Sequence, residues 1–131
     1  MEDRFADLKF TLPYPPSLNV YWRNFRGRMV LSKEAKNYKE KVSELFDTIK
    51  TIRPEHRLPK QDLFWSIGLK IDVYRPRKSG DLDNTLKAIL DSLSKNLYED
   101  DRQVIEISAH RYDDKERPRI EVGVRFVKRI D

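Results

Sequence analysis

The sequence contains no cysteine and only two histidines, His56 and His110. The absence of cysteine excludes disulfide frameworks, thiolate zinc sites and cysteine nucleophiles, and two isolated imidazoles argue against a histidine-based metal cage. Oxygen atoms are therefore the expected ligands of any metal ion. No apolar run approaches the roughly 18 residues that span a bilayer, and the first residues lack the hydrophobic segment of a signal peptide. We therefore expect a cytoplasmic protein with no membrane partner.

Charged side chains, in contrast, are abundant. Of the 131 residues, 37% are charged and 38% are hydrophobic, which suits one modest core. We therefore expect residues 1–131 to form a single domain. Lysine and arginine outnumber aspartate and glutamate by 27 to 22, and the net charge of +5 favours a polyanionic partner.

Hydrophobic periodicity predicts secondary structure in the order β-α-β-α-β-β. Strands are predicted over 8–12, 63–74, 104–112 and 119–127, helices over 33–49 and 82–96, and loops over 53–61 and 75–80. The segment around Gly27 is predicted to form a small hairpin or an ordered loop. This order indicates an α+β fold, in which a mixed sheet packs two main helices on one apolar face. The opposite face is predicted to carry Lys70, Arg111 and Arg125.

The most informative segment covers residues 80–104. At about 100° per residue, Asp83, Lys87 and Asp91 form one line along the second helix, beside its leucine stripe. Asp81 directly precedes this helix. Polar groups therefore border the buried face of the helix along its whole length.

An acidic loop containing Asp101 follows the same helix. Clustered carboxylates repel one another unless a cation lies between them, and oxygen-only ligands suit Mg²⁺ or Mn²⁺. A metal held by two or three aspartates can polarise a phosphate and lower the pKa of an attacking water. Lys87 would add a fixed positive charge near the reacting phosphate.

A purely structural interpretation of these residues is also open. Asp81 or Asp83 could serve as an N-cap, and Lys87 could form an ordinary surface pair one turn away. The acidic loop could be a solvated turn. Spacing alone does not decide between this interpretation and a metal site.

Two basic clusters accompany the acidic segment: Arg75, Arg77 and Lys78 precede it, and Arg23, Arg26 and Arg28 stand among aromatic residues near the N-terminus. Arginine interleaved with aromatic side chains suits phosphate contact and base stacking. Such runs are also common on solvated surfaces. A positive flank beside a negative metal site is nevertheless the arrangement that would bring phosphate to metal.

Two separated motifs carry a family resemblance. The N-terminal part reads LPYPPSLNVYWRNFRGRMVLS, and the acidic part reads GDLDNTLKAILDSL followed by YEDDRQV. In this order they resemble the patterns of the RusA-like Holliday-junction resolvases, which are metal-dependent endodeoxyribonucleases of bacteria, prophages and phages. The resemblance covers nearly the whole chain.

The resemblance implies a small α+β homodimer with one active site per subunit, which cuts symmetrically placed strands of a four-way DNA junction. The family's metal-binding carboxylates match Asp81, Asp83 and Asp101, and its catalytic lysine matches Lys87. Two further acidic positions of the family match Asp91 and Asp100, which we regard as supporting residues.

These observations lead us to expect a Mg²⁺-dependent, structure-selective endodeoxyribonuclease that resolves Holliday junctions by paired nicks in recombination and repair, with Mn²⁺ as the alternative ion. The alternative is a non-catalytic basic module that only binds nucleic acid. That alternative explains the net charge and the arginines equally well. It does not explain why Asp81, Asp83, Lys87 and Asp101 occur together.

Overall fold

The computed structural model describes residues 3–17, 21–76 and 81–129. The elements in these ranges are β1 (Leu8–Pro13), β2 (Trp22–Phe25), β3 (Arg28–Leu31), α1 (Lys33–Ile52), β4 (Trp65–Arg75), α2 (Leu82–Leu93), β5 (Val104–Asp113) and β6 (Arg119–Lys128). Short 3₁₀ turns are formed by Pro54–His56 and Asp101–Gln103. No helix in the described ranges is both long and apolar enough to cross a membrane.

Four strands form one mixed sheet in the order β1-β6-β4-β5. β4 and β5 are parallel, whereas β6 is antiparallel to both β1 and β4. Parallel neighbours need a long crossover connection, and here α2 supplies it. The helix thus begins beyond the carboxyl end of β4 and ends before the amino end of β5. The predicted α+β class with a mixed sheet is confirmed.

The core lies between this sheet and the two helices. Alternate residues of β4 are at most 2% exposed: Ile67, Leu69, Ile71 and Val73. They share one cluster with Val42 and Phe46 of α1 and with Ile89 and Leu93 of α2. Both helices therefore cover the same face of the sheet, as the sequence predicts.

The two helices differ from their predicted ends. α1 begins where expected, because the Ser32 hydroxyl accepts a hydrogen bond from the Ala35 N–H at 3.1 Å, but it continues to Ile52. α2 ends at Leu93 instead of residue 96. Beyond it the chain folds back, and the Lys95 N–H donates to the Tyr98 carbonyl at 2.7 Å. This turn competes with further helical hydrogen bonds.

The start of β4 was predicted two residues too early. Leu63 precedes the strand and is 48% exposed, whereas the strand begins at Trp65. The Asp62 carboxylate accepts the Phe64 N–H and the Asp62 carbonyl accepts the Trp65 N–H, both at 2.9 Å. These bonds close a turn that keeps Leu63 out of the sheet.

The prediction for the opposite sheet face was wrong at one position. Lys70 and Arg125 do share that face, but Arg111 pairs with Val73 and therefore lies on the helix side. The pairing of β4 with β5 shifts register between Ile67 and Gly68. Without that shift, simple alternation from Val104, which pairs with Ile67, would place Arg111 on the opposite face. With it, Arg111 lies beside the core-facing Val73.

Part of the opposite face is covered by the chain's own N-terminal segment. The Phe5 side chain is 6% exposed and lies over Gly68 and Gly123. A Cβ atom at Gly123 would lie only 2.7 Å from the Phe5 carbonyl oxygen. Beside it, Glu106 accepts from Arg4 at 3.2 Å and from Arg125 at 3.3 Å. The segment thus closes tightly on the sheet.

Candidate active site and nucleic-acid interface

The start of α2 presents three exposed charged side chains, Asp81, Asp83 and Lys87. Asp81 occupies the N-cap position with extended backbone angles, and its carbonyl accepts the Thr85 N–H at 3.2 Å. Its carboxylate makes no capping hydrogen bond. Within the described ranges, none of the three side chains forms a hydrogen bond or an ion pair. Asp81 at the N-cap and Asp83 in the first turn do suit the helix dipole, as the structural interpretation expects, but no described donor engages either carboxylate. For Lys87, no described residue forms the expected surface pair.

Asp101 opens the 3₁₀ turn before β5, and its side chain is exposed. No described residue donates a hydrogen bond to its carboxylate or forms an ion pair with it. The four residues predicted to be catalytic therefore share one property, which is a charged group that forms no hydrogen bond or ion pair with a described residue.

The turn that carries Asp101 is fixed by the side chain of Gln103, which is 2% exposed. Its amide nitrogen donates to the carbonyls of Lys60 at 2.8 Å and of Asp62 and Trp65 at 3.3 Å, and its oxygen accepts the N–H groups of Glu99 at 2.8 Å and Asp100 at 2.9 Å. A buried amide with all these partners holds the turn against the start of β4. The pattern Asp100-x-x-Gln103 is typical of a capping box and is the local signal that predicts this role for Gln103, which received none above.

Asp100 is engaged in this capping box. Its carboxylate accepts the Arg102 N–H at 2.9 Å and the Arg102 guanidinium at 2.9 and 3.2 Å. The hydrogen bonds from Arg102 hold the pKa of Asp100 below its usual value. The Asp100 carboxylate is thus hydrogen-bonded within the fold, whereas Asp81 occupies an N-cap position without a capping hydrogen bond from its carboxylate.

Asp91 is also engaged, at a point where three elements meet. The buried Tyr21 hydroxyl donates to Asp91 Oδ2 at 2.6 Å, and Lys39 Nζ of α1 lies 3.4 Å from the same oxygen. Burial, together with this hydrogen bond, raises the pKa of Tyr21, so the phenol stays a donor. No local pattern predicts the hydrogen bond between Tyr21 and Asp91, because 70 positions separate the two residues.

The acidic residues lie at different parts of α2. The helix has 12 residues and so extends about 18 Å, with Asp81 and Asp83 at its start. The Tyr98 hydroxyl donates to the Leu90 carbonyl at 3.0 Å, which holds the following loop against the last turns. In the described part of the chain, no three aspartate, glutamate or histidine side chains are grouped closely enough to hold a metal ion. The metal-binding set Asp81, Asp83 and Asp101 stays a prediction.

The N-terminal basic cluster lies on the hairpin of β2 and β3. Arg26 and Gly27 form its two-residue turn, both with positive φ, at 51° and 76°. The three arginines, Arg23, Arg26 and Arg28, are exposed and have no ion-pair partner among the described residues. The Arg26 guanidinium lies 5.2 Å from the centre of the Phe25 ring. This hairpin offers free cations beside exposed aromatic faces.

The second basic cluster is only partly described. The Arg75 guanidinium pairs with the Asp113 carboxylate, and its side chain is 12% exposed. Arg77 and Lys78 lie outside the described residues, as does Gly80. Of the predicted phosphate contacts, the hairpin arginines are therefore accessible, whereas Arg75 is held within the fold.

Several known proteins of similar sequence share one name. A family profile described as Endodeoxyribonuclease RusA matches residues 13–125. The chain is 35% identical over 109 residues to the crossover junction endodeoxyribonuclease of Enterobacteria phage HK97, covering 80% of this chain and 82% of that protein. It is 34% identical over 98 residues to the proteins of the same name from Escherichia coli K12 and Shigella sonnei Ss046, covering 73% of this chain and 75% of each relative.

Proposed function

The chain belongs to the family of RusA endodeoxyribonucleases, and on that premise we propose that it resolves four-way DNA junctions by paired, Mg²⁺-dependent nicks. The resemblance inferred from the motifs is thereby confirmed. One observation carries the proposal: Asp81, Asp83 and Asp101 keep exposed carboxylates that no described residue engages. Carboxylates left free by the fold are available to a ligand from outside it.

We assign the ion to these three carboxylates, with Mn²⁺ as the alternative to Mg²⁺. Their chemistry fits, because both ions prefer hard anionic oxygen ligands. When bound, such an ion polarises a phosphate and lowers the pKa of an attacking water. Since the described residues hold no preformed group of three ligands, we expect ion binding to bring the Asp101 turn and the start of α2 closer together.

The chain's own cations bind and position the DNA. Lys87 lies one helical turn beyond Asp83, where its free ammonium can donate to a phosphate oxygen. The hairpin arginines bind neighbouring phosphates. The hairpin is tied to α2 through Tyr21 and Asp91, so phosphates held by the hairpin keep a defined position relative to the carboxylates.

A homodimer is part of the proposal, because a two-fold symmetric junction needs two equivalent cuts. β5 supports it. This strand lies at one edge of the sheet, and its Ile105 and Ile107 side chains are 57% and 42% exposed. A long edge strand with apolar side chains is a ready surface for a second copy. Light scattering of Ile107→Lys should show a monomer if this edge forms the interface, whereas an unchanged dimer would place the interface elsewhere.

Cleavage of a labelled four-way junction tests the function. We expect nicks on two opposing strands with Mg²⁺, none with chelator, and little cutting of a linear duplex of the same sequence. Asp83→Asn should bind the junction and leave it uncut. If the parent protein binds junctions but never cuts them with Mg²⁺ or Mn²⁺, the non-catalytic binding module is the correct description.

A further inference from the structure

A cavity of about 500 Å³ lies beside the start of β4, and Lys60 is one of the residues that line it. The Lys60 side chain is among the few buried charged groups, at 8% exposure. Its ammonium lies 4.3 Å from the centre of the Trp65 ring and 4.7 Å from the centre of the Phe126 ring. The rings of Trp65 and Phe126 thus hold the Lys60 ammonium at the edge of the cavity.

The Lys60 ammonium has no anionic partner within the described ranges. Ring faces attract a cation, but they offer no lone pairs to its three N–H donors. Burial, and next the positive charge of Arg57, lower the pKa of Lys60. The N–H donors of Lys60 thus face the open space without a described acceptor, and an anion there could accept from them.

Two other nitrogen-bearing side chains line the same space. Lys128 lies opposite Trp65 in the sheet, and its ammonium is 5.7 Å from the centre of that indole. His56 Nε2 is buried and has no hydrogen-bond partner. Together with Lys60 and Arg57, these groups bring basic side chains from two segments, residues 56–60 and the end of β6, to one cavity.

Two carboxylates also line the cavity, and both have partners already. Glu55 accepts from the Arg53 guanidinium at 2.6 Å, and Asp62 accepts the Phe64 N–H at 2.9 Å. Neither carboxylate forms an ion pair with Lys60. Among the described residues, no carboxylate therefore supplies a counter-charge to the Lys60 ammonium.

We propose that this cavity binds a phosphate group of nucleic acid, held by Lys60 with Lys128, Arg57 and His56. The inference rests on the proposed function, which brings DNA to this protein. The Lys60 N–H donates to the Leu97 carbonyl at 3.1 Å, and the Lys60 carbonyl accepts the Glu99 N–H at 3.3 Å. The cavity is thus attached to the loop that carries Asp101, so a phosphate bound here anchors a strand beside that loop.

The same chemistry has two sources, which are a phosphodiester within a strand and a terminal phosphate. Trp65 provides the probe, because the chain has two tryptophans and a Trp22→Phe background leaves Trp65 alone. Inorganic phosphate, a 5′-phosphorylated oligonucleotide and the same oligonucleotide with a 5′-hydroxyl are titrated in metal-free buffer. A saturable change in Trp65 fluorescence is expected with phosphate. A response to both oligonucleotides assigns the site to the strand, and a response to the phosphorylated one alone assigns it to a terminus.

The matched variant is Lys60→Met, which keeps an unbranched chain between the rings and removes the charge. We expect the dissociation constant for phosphate to rise at least about tenfold. Lys128→Met, at an exposed position, should shift it in the same direction by less, so the test does not depend on how well Lys60→Met folds. Lys50→Met, whose ammonium lies 3.9 Å from Asp47 on the outside of α1, is the control and should change nothing.

Stability gives an independent readout. In phosphate-free buffer Lys60→Met should melt at the parent's temperature or above it, and phosphate should raise the melting temperature of the parent only. Lower stability of Lys60→Met together with equal phosphate responses would show that the lysine is merely structural, and would overturn the proposal. If Trp65 responds but junctions are never cut, only the proposed function fails; if junctions are cut and Trp65 stays silent, only the cavity assignment fails.

Discussion

Two sets of aspartates in the same segment are treated differently by the fold. Asp91 and Asp100 are half-buried and carry hydrogen bonds from Tyr21 and Arg102. The set Asp81, Asp83 and Asp101 is exposed and accepts nothing from a described side chain. The carboxylates of the first set are hydrogen-bonded within the fold, whereas those of the second set form no hydrogen bond or ion pair with a described residue.

The difference teaches which acidic residues to connect with catalysis. Free carboxylates in a basic protein would be expected to attract the many available cations of their own chain. Lys39 and Arg102 instead pair with the engaged set, and Lys87 pairs with no described acid. Residues whose charge has no structural use are the ones where function is expected to account for their presence.

The largest expected effect is the loss of junction cleavage when Asp81, Asp83 or Asp101 is substituted. Asp81→Asn, Asp83→Asn and Asp101→Asn keep the shape of the side chain and remove a hard anionic ligand, so junction cleavage should fall at least about 10²-fold. Melting temperatures should stay at the parent value. Glu44→Gln, at an exposed position on α1, is the control. A folded Asp83→Asn protein that cuts near the parent rate would remove the basis for separating the two sets.

The engaged set should show the reverse behaviour. Asp91→Ala leaves the buried Tyr21 hydroxyl without an acceptor, so we expect a loss of about 1–3 kcal/mol in the free energy of unfolding. Urea titration measures it. The loss should be smaller in a Tyr21→Phe background, because that variant has no hydroxyl that could lose its acceptor. Equal losses in both backgrounds would show that the hydrogen bond is not what Asp91 contributes.

The same contrast applies to the arginines. Arg26→Ala should lower the dependence of log affinity on log salt by about 0.9 and leave stability unchanged, because it removes one exposed phosphate contact. Arg75→Ala should lower stability, because it breaks the ion pair with Asp113, and should change the salt dependence less. Filter binding over a salt series and urea titration test both. Identical salt slopes for the two variants would contradict the assignment.

The smallest effect concerns alkaline pH. Burial lowers the pKa of Lys60 in the folded chain below its ordinary value of 10.5. Between that lowered pKa and 10.5, the unfolded chain binds more protons than the folded one. The free energy of unfolding should therefore gain a small positive contribution as pH rises through this interval. Lys60→Met should lack that contribution and Lys50→Met should retain it. Parallel pH profiles for the parent and Lys60→Met would refute this.

Local pattern was enough to predict most of the fold. The Ser32 cap and the alternation of β4 are written in neighbouring residues, and both were correct. Periodicity also placed Lys87 one turn from Asp83 on the same helix. The helix that connects two parallel strands follows from the order of the elements.

Contacts between distant segments could not be predicted in this way. The bond between Tyr21 and Asp91 depends on how the hairpin docks on α2, which no spacing encodes. The face of Arg111 depends on a register shift in the pairing of β4 with β5. Lys60 lies in a segment that reads as a polar loop, yet tertiary packing buries it between two rings. The family motifs predicted Asp81, Asp83 and Asp101 as site residues. Only the structure shows that no described residue forms a hydrogen bond or an ion pair with their carboxylates.

The close fit of Phe5 over Gly123 has a consequence for how this sequence can change. A methyl group at Gly123 would collide with the backbone of the N-terminal segment, not with a flexible side-chain tip. No rotamer adjustment can absorb such a collision, so the segment would have to lift off and expose the apolar ring of Phe5. Because the obstructing atom is a backbone oxygen, no change of side chain at position 5 removes it, so position 123 should accept only glycine for as long as the N-terminal segment stays docked on the sheet.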